Sequence, residues 1–196
     1  MSQAGRLPVA VLVSGRGSNL KALLDAASTD DFPARIAAVC ANKAALALEF
    51  ASRAEIPTGI FRREDYPTRA ERDRAMAHFC QDHGAELVVC AGYDAILAPS
   101  FTAVFPGRII NVHPSLLPAF AGSMDAPARA LAAGVAETGC TVHLVTDDLD
   151  QGPVIAQRRV PVLSGDTPQR LHARIQAEEH RLLPEVVREF ALSRVR

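Results

Sequence analysis

No apolar run in this sequence approaches the roughly 20 residues that a membrane-spanning helix needs. The stretch at 9–13 behind Arg6 is too short for the core of a secretion signal and leads straight into Gly15-Arg16-Gly17. The expected location is therefore cytoplasmic, with no membrane partner. A surplus of one charge is also missing: 21 Lys and Arg stand against 22 Asp and Glu, a formal net charge of −1. That balance argues against a nucleic-acid partner, which calls for a clustered basic excess. Cysteine is sparse, and Cys40, Cys80, Cys90 and Cys140 form no CxxC pair. Three of them lie in apolar, strand-like segments, so reduced core thiols are expected rather than disulfides or ligands. No HExxH and no clustered His/Cys spacing suggests zinc, and no metal is expected. Repeats, low-complexity tracts and linkers are absent too, which leaves 1–196 as a single domain of ordinary globular composition.

What the sequence does hold is an alternation of short apolar runs and helical patterns. Strands are expected at 8–13, 35–40, 58–61, 85–92, 109–112, 140–145 and 154–162. Helices are expected at 20–26, 44–54, 69–83, 128–133 and 167–190. The last carries Leu171, Ile175, Leu182, Val186 and Phe190 on one stripe, and Pro184 should bend or break it. Alternation of this kind predicts an α/β, Rossmann-like fold: a mostly parallel central sheet with helices on both faces. Ligands in such folds collect at the carboxyl ends of the strands.

Two stretches fall just past strand ends. Ser14-Gly15-Arg16-Gly17-Ser18-Asn19 joins the first strand to the first helix. Strand, glycine turn and helix together aim backbone N–H groups and a positive helix end at an anion, so the amides around Gly17, Ser18 and Asn19 are candidates to hold a phosphate. The turn lacks the dinucleotide fingerprint, because Leu20 stands where GxGxxG needs its third glycine, and Ala41-Asn42-Lys43 offers no carboxylate after the second strand. The second stretch is Arg108-Ile109-Ile110-Asn111-Val112-His113-Pro114-Ser115-Leu116-Leu117-Pro118. Side chains two apart on a strand share a face, so Asn111 and His113 should point together at the strand exit. An amide beside an imidazole suits reactive chemistry better than packing. Downstream, Thr146-Asp147-Asp148-Leu149-Asp150 crowds acids into a loop, which by itself reads as a solvated turn. His143, within an apolar strand, reads as structural.

The element Asn111-Val112-His113-Pro114-Ser115-Leu116-Leu117-Pro118, followed by Gly122 and by Asp147-Asp148-Leu149-Asp150-Gln151-Gly152-Pro153, resembles the signature of the folate-dependent formyltransferases. The opening glycine turn and the closing Gln176-Ala177-Glu178-Glu179-His180 are similar to the branch that formylates glycinamide ribonucleotide. The likeness runs over about 9–190. It implies transfer of a formyl group from 10-formyltetrahydrofolate, as cosubstrate, to the amine of that ribonucleotide in purine biosynthesis. The amine would attack the formyl carbon and create a tetrahedral oxyanion.

By this resemblance Asn111, His113 and Asp150 are catalytic, with Asp150 favouring a charged His113. Gly17, Ser18, Asn19, Gln176 and Glu179 would bind the ribonucleotide. Arg69, Asp94, Ala95, Ile96, Leu97, Asn111, Thr146, Asp147, Asp148, Leu149 and Asp150 would line the folate site. The expected assembly is a monomer or a homodimer. Alternatives within the same likeness are a formyltetrahydrofolate deformylase, in which water replaces the amine, and a non-catalytic relative that binds phosphate or folate. The sequence departs from the family pattern at Ala95, where an Arg is usual, and at Gly122-Ser123-Met124-Asp125-Ala126-Pro127, which is longer and lacks histidines. It also ends at Arg196, short of a terminal hairpin carried by many relatives.

Overall fold

Every residue of the first strand, β1 (Leu7–Val13), is buried, as expected of an unbroken apolar run covered on both faces. Around it a computed structural model, which describes residues 5–123 and 125–194, builds one seven-stranded sheet. Met124 and Arg196 lie outside the described residues. The other strands are β2 (Ala34–Ala41), β3 (Thr58–Ile60), β4 (Leu87–Cys90), β5 (Ile109–His113), β6 (Glu137–Leu144) and β7 (Val154–Pro161). Their order is β3-β2-β1-β4-β5-β6-β7. The strands from β3 to β5 are parallel, whereas β6 is antiparallel to β5 and β7 to β6.

The helices are α1 (Ser18–Ala27), α2 (Ala47–Arg53), α3 (Arg69–Asp82), α4 (Pro99–Thr102), α5 (Ala126–Ala132) and α6 (Pro168–Ser193). Alternation along the strands divides the core in two. Val9, Val11, Val89 and Ile110 pack with Leu20, Ala47, Ile175 and Leu183 from α1, α2 and α6. On the other face Ala10, Leu12, Val88 and Ile109 meet Met76, Cys80, Phe101 and Phe105 from α3 and the α4 region. The expected two-faced, mostly parallel sheet is thus present, and all four cysteines are buried and free.

Two differences from the sequence reading have physical causes. Pro184 neither breaks nor ends α6, which runs unbroken through it. The flanking Leu182, Leu183, Val186 and Val187 are buried against the sheet, and that packing offsets one missing backbone hydrogen bond. The helix expected from 44 starts only at Ala47, whose N–H donates to Gly15 O at 3.2 Å. The preceding residues instead form the bend that brings α2 against the glycine turn.

The antiparallel end of the sheet departs from the βαβ pattern. The connection between β6 and β7, residues 145–153, contains no helix and so cannot make a right-handed parallel crossover. It leaves Leu144 opposite Ile110 and rides back over the face of β5 that carries the odd-numbered residues. A carboxylate on this loop therefore approaches that face of β5 from the side.

Candidate active site

Asn111 and His113 lie on the same side of β5, as the strand period requires, and both line a cavity of about 500 Å³. Its walls come from two loops: Asp94, Ala95, Ile96 and Leu97 after β4, and Thr146, Asp147, Asp148, Leu149 and Asp150 after β6. Ile96 and Leu149 are 49% and 48% exposed at its mouth, apolar surface that a flat ring could cover. Thr102 Oγ1 donates to Asp147 Oδ1 at 3.1 Å, tying the second loop to the end of α4.

Asp150 closes the constellation. It sits at φ 55°, the left-handed region that Asp enters more readily than most residues. Its Oδ2 accepts the Gly122 N–H at 2.8 Å and lies 3.3 Å from His113 Nδ1, while Oδ1 lies 3.5 Å from His143 Nε2. Burial alone would raise the Asp150 carboxyl, but His143, the Gly122 N–H bond and His113 beside it hold it below its usual value. Asp150 is therefore an anion at neutral pH.

His113 has an oxygen at each ring nitrogen, Asp150 Oδ2 at Nδ1 and Phe120 O at Nε2, 3.3 Å away. Burial nevertheless lowers its pKa, and Asp150 and Phe120 O offset only part of that. The sequence, which shows only the acid, predicts a charged imidazole. In this site desolvation outweighs the carboxylate, and the ring rests neutral.

His143, which the sequence suggests is structural, belongs to the site. It pairs directly opposite Asn111, and its Nε2 lies 3.1 Å from Asn111 Nδ2. Only the antiparallel register reveals this, and no residue pattern in the sequence fixes that register.

A second group of predicted residues gathers at the start of α1, outside the cavity. Gly17 caps the helix at φ 79° with no side-chain cap, so the first-turn N–H groups are open to a ligand. A side chain at Gly17 would put its Cβ 2.5 Å from Ala47 Cβ, so only glycine allows both the turn and the close approach of α2. Asn19 Nδ2 donates to Glu179 Oε2 at 2.9 Å across α1 and α6, and Asn19 Oδ1 is buried without a partner. Burial raises the Glu179 carboxyl, and the Asn19 bond offsets only part of this. Gln176 lies half-buried one turn earlier on α6.

The glycine-turn and cavity groups both stand at the carboxyl edge, beside β1 and β4, where the chain order of the parallel strands reverses. Arg69 is the exception. It is exposed at the start of α3 and does not line the cavity. Among the described residues no group of three or more His, Cys, Asp or Glu is placed to hold a metal ion.

Comparison with known proteins adds an independent line. The chain matches the family described as formyl transferase over residues 7–187. It is 41% identical over 189 residues to the phosphoribosylglycinamide formyltransferase of Haemophilus influenzae, covering 96% of this chain and 89% of that one. The enzyme of the same name from Mycobacterium tuberculosis is 47% identical over 181 residues, covering 92% and 83%. Among solved structures, glycinamide ribonucleotide transformylase 1 from Symbiobacterium toebii superposes with a TM-score of 0.94 at 45% identity, covering 98% of this chain and 91% of that one.

Proposed function

The chain belongs to the formyl transferase family, and from that premise we infer that it is a phosphoribosylglycinamide formyltransferase of purine biosynthesis. It moves a formyl group from a formyl folate to the amine of glycinamide ribonucleotide. In our reading the donor is 10-formyltetrahydrofolate, the whole of 1–196 acts as one domain, and the protein works in the cytoplasm as a monomer or homodimer. No step needs a metal, nucleic acid or membrane.

The convergence of Asn111, His113 and Asp150 on one cavity carries the mechanistic part of this reading. The folate would occupy the cavity, its flat ring between Ala95–Leu97 and Thr146–Asp150. The ribonucleotide phosphate would take the amides of Gly17, Ser18 and Asn19, with Glu179 and Gln176 accepting from ribose or amide groups. The glycinamide amine attacks the formyl carbon, and its carbonyl oxygen becomes an oxyanion. Asn111 Nδ2–H and His113 Nε2–H donate to that oxygen, which is a stronger acceptor than Phe120 O. The attacking nitrogen gives up a proton through the Asp150 carboxylate to Nδ1 of the neutral His113, so the imidazolium forms as the oxyanion does. Collapse breaks the bond from carbon to N10 of the folate, and the same proton passes to that nitrogen.

The test is release of tetrahydrofolate from 10-formyltetrahydrofolate with and without glycinamide ribonucleotide. Release that depends on the ribonucleotide is expected. Release without it would mean a hydrolase, and no release under either condition would mean a binding protein.

A further inference from the structure

The carboxyl ends of β2, β1 and β4 are joined by one polar cluster that takes no part in formyl transfer itself. Ser14 Oγ donates to Asn42 Oδ1 at 2.8 Å and accepts the Asp94 N–H at 2.9 Å. Asn42 Nδ2 donates to Asp94 Oδ1 at 2.8 Å, and Lys43 Nζ pairs with Asp94 Oδ2. The Ser14 N–H donates to Gly92 O at 3.1 Å. Both Asp94 oxygens therefore have partners within the protein, although Asp94 borders the cavity. Burial works against its charge, yet the bonds from Lys43 and Asn42 hold its carboxyl below the usual value. Its side chain is committed to holding the loop.

The cluster has two flanks. On one side the chain runs from Ser14 into the glycine turn, which the Ala47 N–H grips at Gly15 O. On the other it runs from Asp94 into Ala95, Ile96 and Leu97 at the cavity wall. The far end of that wall is fixed separately, where the Ala98 N–H donates to the buried Asp73 Oδ2 at 2.7 Å. A ligand that stills the glycine turn thus stills the near anchor of the folate-facing loop, and the second ligand then has less ordering left to do.

We propose that Ser14, Asn42, Lys43 and Asp94 couple the two substrate sites, so that ribonucleotide bound at the glycine turn strengthens folate binding at the loop 94–97. This rests on the formyl-transfer reading for the identity of the two ligands. The four are positioning residues; they act through the loops. Coupling is reciprocal, so folate strengthens ribonucleotide binding by the same factor. The Lys43–Asp94 pair is partly exposed, and salt weakens the effect.

Calorimetric titration of tetrahydrofolate with and without saturating glycinamide ribonucleotide measures the coupling, since this pair lacks a formyl group and cannot react. The wild-type protein should bind the folate about fivefold tighter or more with the ribonucleotide present. In Lys43→Gln and Ser14→Ala the enhancement should fall toward one, and Lys43→Arg should restore it. A loop held for stability alone would lower the melting temperature and leave the enhancement unchanged. An undiminished enhancement in both variants, or none in the wild type, overturns the proposal. Wild-type protein that binds neither compound instead overturns the formyl-transfer reading, and the coupling with it.

Discussion

Asn111 and His143 face each other across β5 and β6, with the amide Nδ2 3.1 Å from the imidazole Nε2. His143 Nδ1 lies 2.9 Å from Leu144 O, which can only accept. That nitrogen therefore carries hydrogen, which leaves Nε2 to accept from Asn111. The bond sets which way the Asn111 amide faces and leaves its second N–H for the oxyanion. His143→Leu should lower kcat by roughly tenfold to a hundredfold through misplacement of that donor. Folate affinity, measured by calorimetry, should change much less. A kcat within a factor of two of wild type would return His143 to a packing role.

Removing a donor or the proton acceptor should cost more. Asn111→Ala is expected to lose about 3 kcal/mol of transition-state stabilisation, or some hundredfold in kcat. His113→Ala and Asp150→Asn should abolish turnover with an unchanged circular dichroism spectrum. Near-normal kcat with saturating substrates in either variant would remove that residue from the mechanism.

The neutral His113 makes a signed pH prediction. Its folded pKa lies below the ordinary histidine value of 6.5, so the unfolded chain binds the proton more tightly. The associated stability is present above 6.5 and is lost as pH falls below it. His180, half-buried, and His172, more exposed, are also lowered mainly by desolvation and act in the same direction. The melting temperature should therefore drop on going from neutral pH into the acid range. Nitrogen-detected NMR should show His113 titrating below 6.5 in the free protein, and lower still in Asp150→Asn. A titration above 6.5 would contradict the assignment.

Much of the site is legible in the sequence alone. The strand period puts Asn111 and His113 on one face, and the glycine turn marks the uncapped start of α1. His143 is not legible because its role depends on register, and register is set by pairing between distant segments. The neutral state of His113 escapes for a related reason: the sequence shows the neighbouring acid but not the depth of burial. Arg69 is the reverse case. The family resemblance suggests the folate site for it, yet its side chain stands exposed at the head of α3 and does not line the cavity.

Asp73 should be the costliest single loss outside the chemistry. It is fully buried, paired with Arg72 at 2.6 Å and bonded to the Ala98 N–H. Asp73→Ala strands a buried guanidinium and an unpaired amide, and should destabilise by about 3–5 kcal/mol in urea unfolding. A loss below about 1 kcal/mol would mean that water or a neighbour replaces the carboxylate.

Glu179 should behave oppositely. Its buried carboxyl is raised, so its charge opposes folding at neutral pH, where the unfolded chain is ionised. Glu179→Gln removes that cost and keeps an oxygen for Asn19 Nδ2. It should stabilise the free protein by about 1 kcal/mol while raising KM for the ribonucleotide. Unchanged KM would show that the carboxylate does not touch substrate.

The contact between Gly17 and Ala47 bears on how this chain can vary. Neither position has room to grow unless the other yields, and Gly17 cannot grow at all without leaving its backbone conformation. Positions 17 and 47 therefore form one unit under mutation. A library randomised at Ala47 should return almost nothing larger than alanine among active clones, and every exception should carry a shifted start of α2 and a weakened anion site.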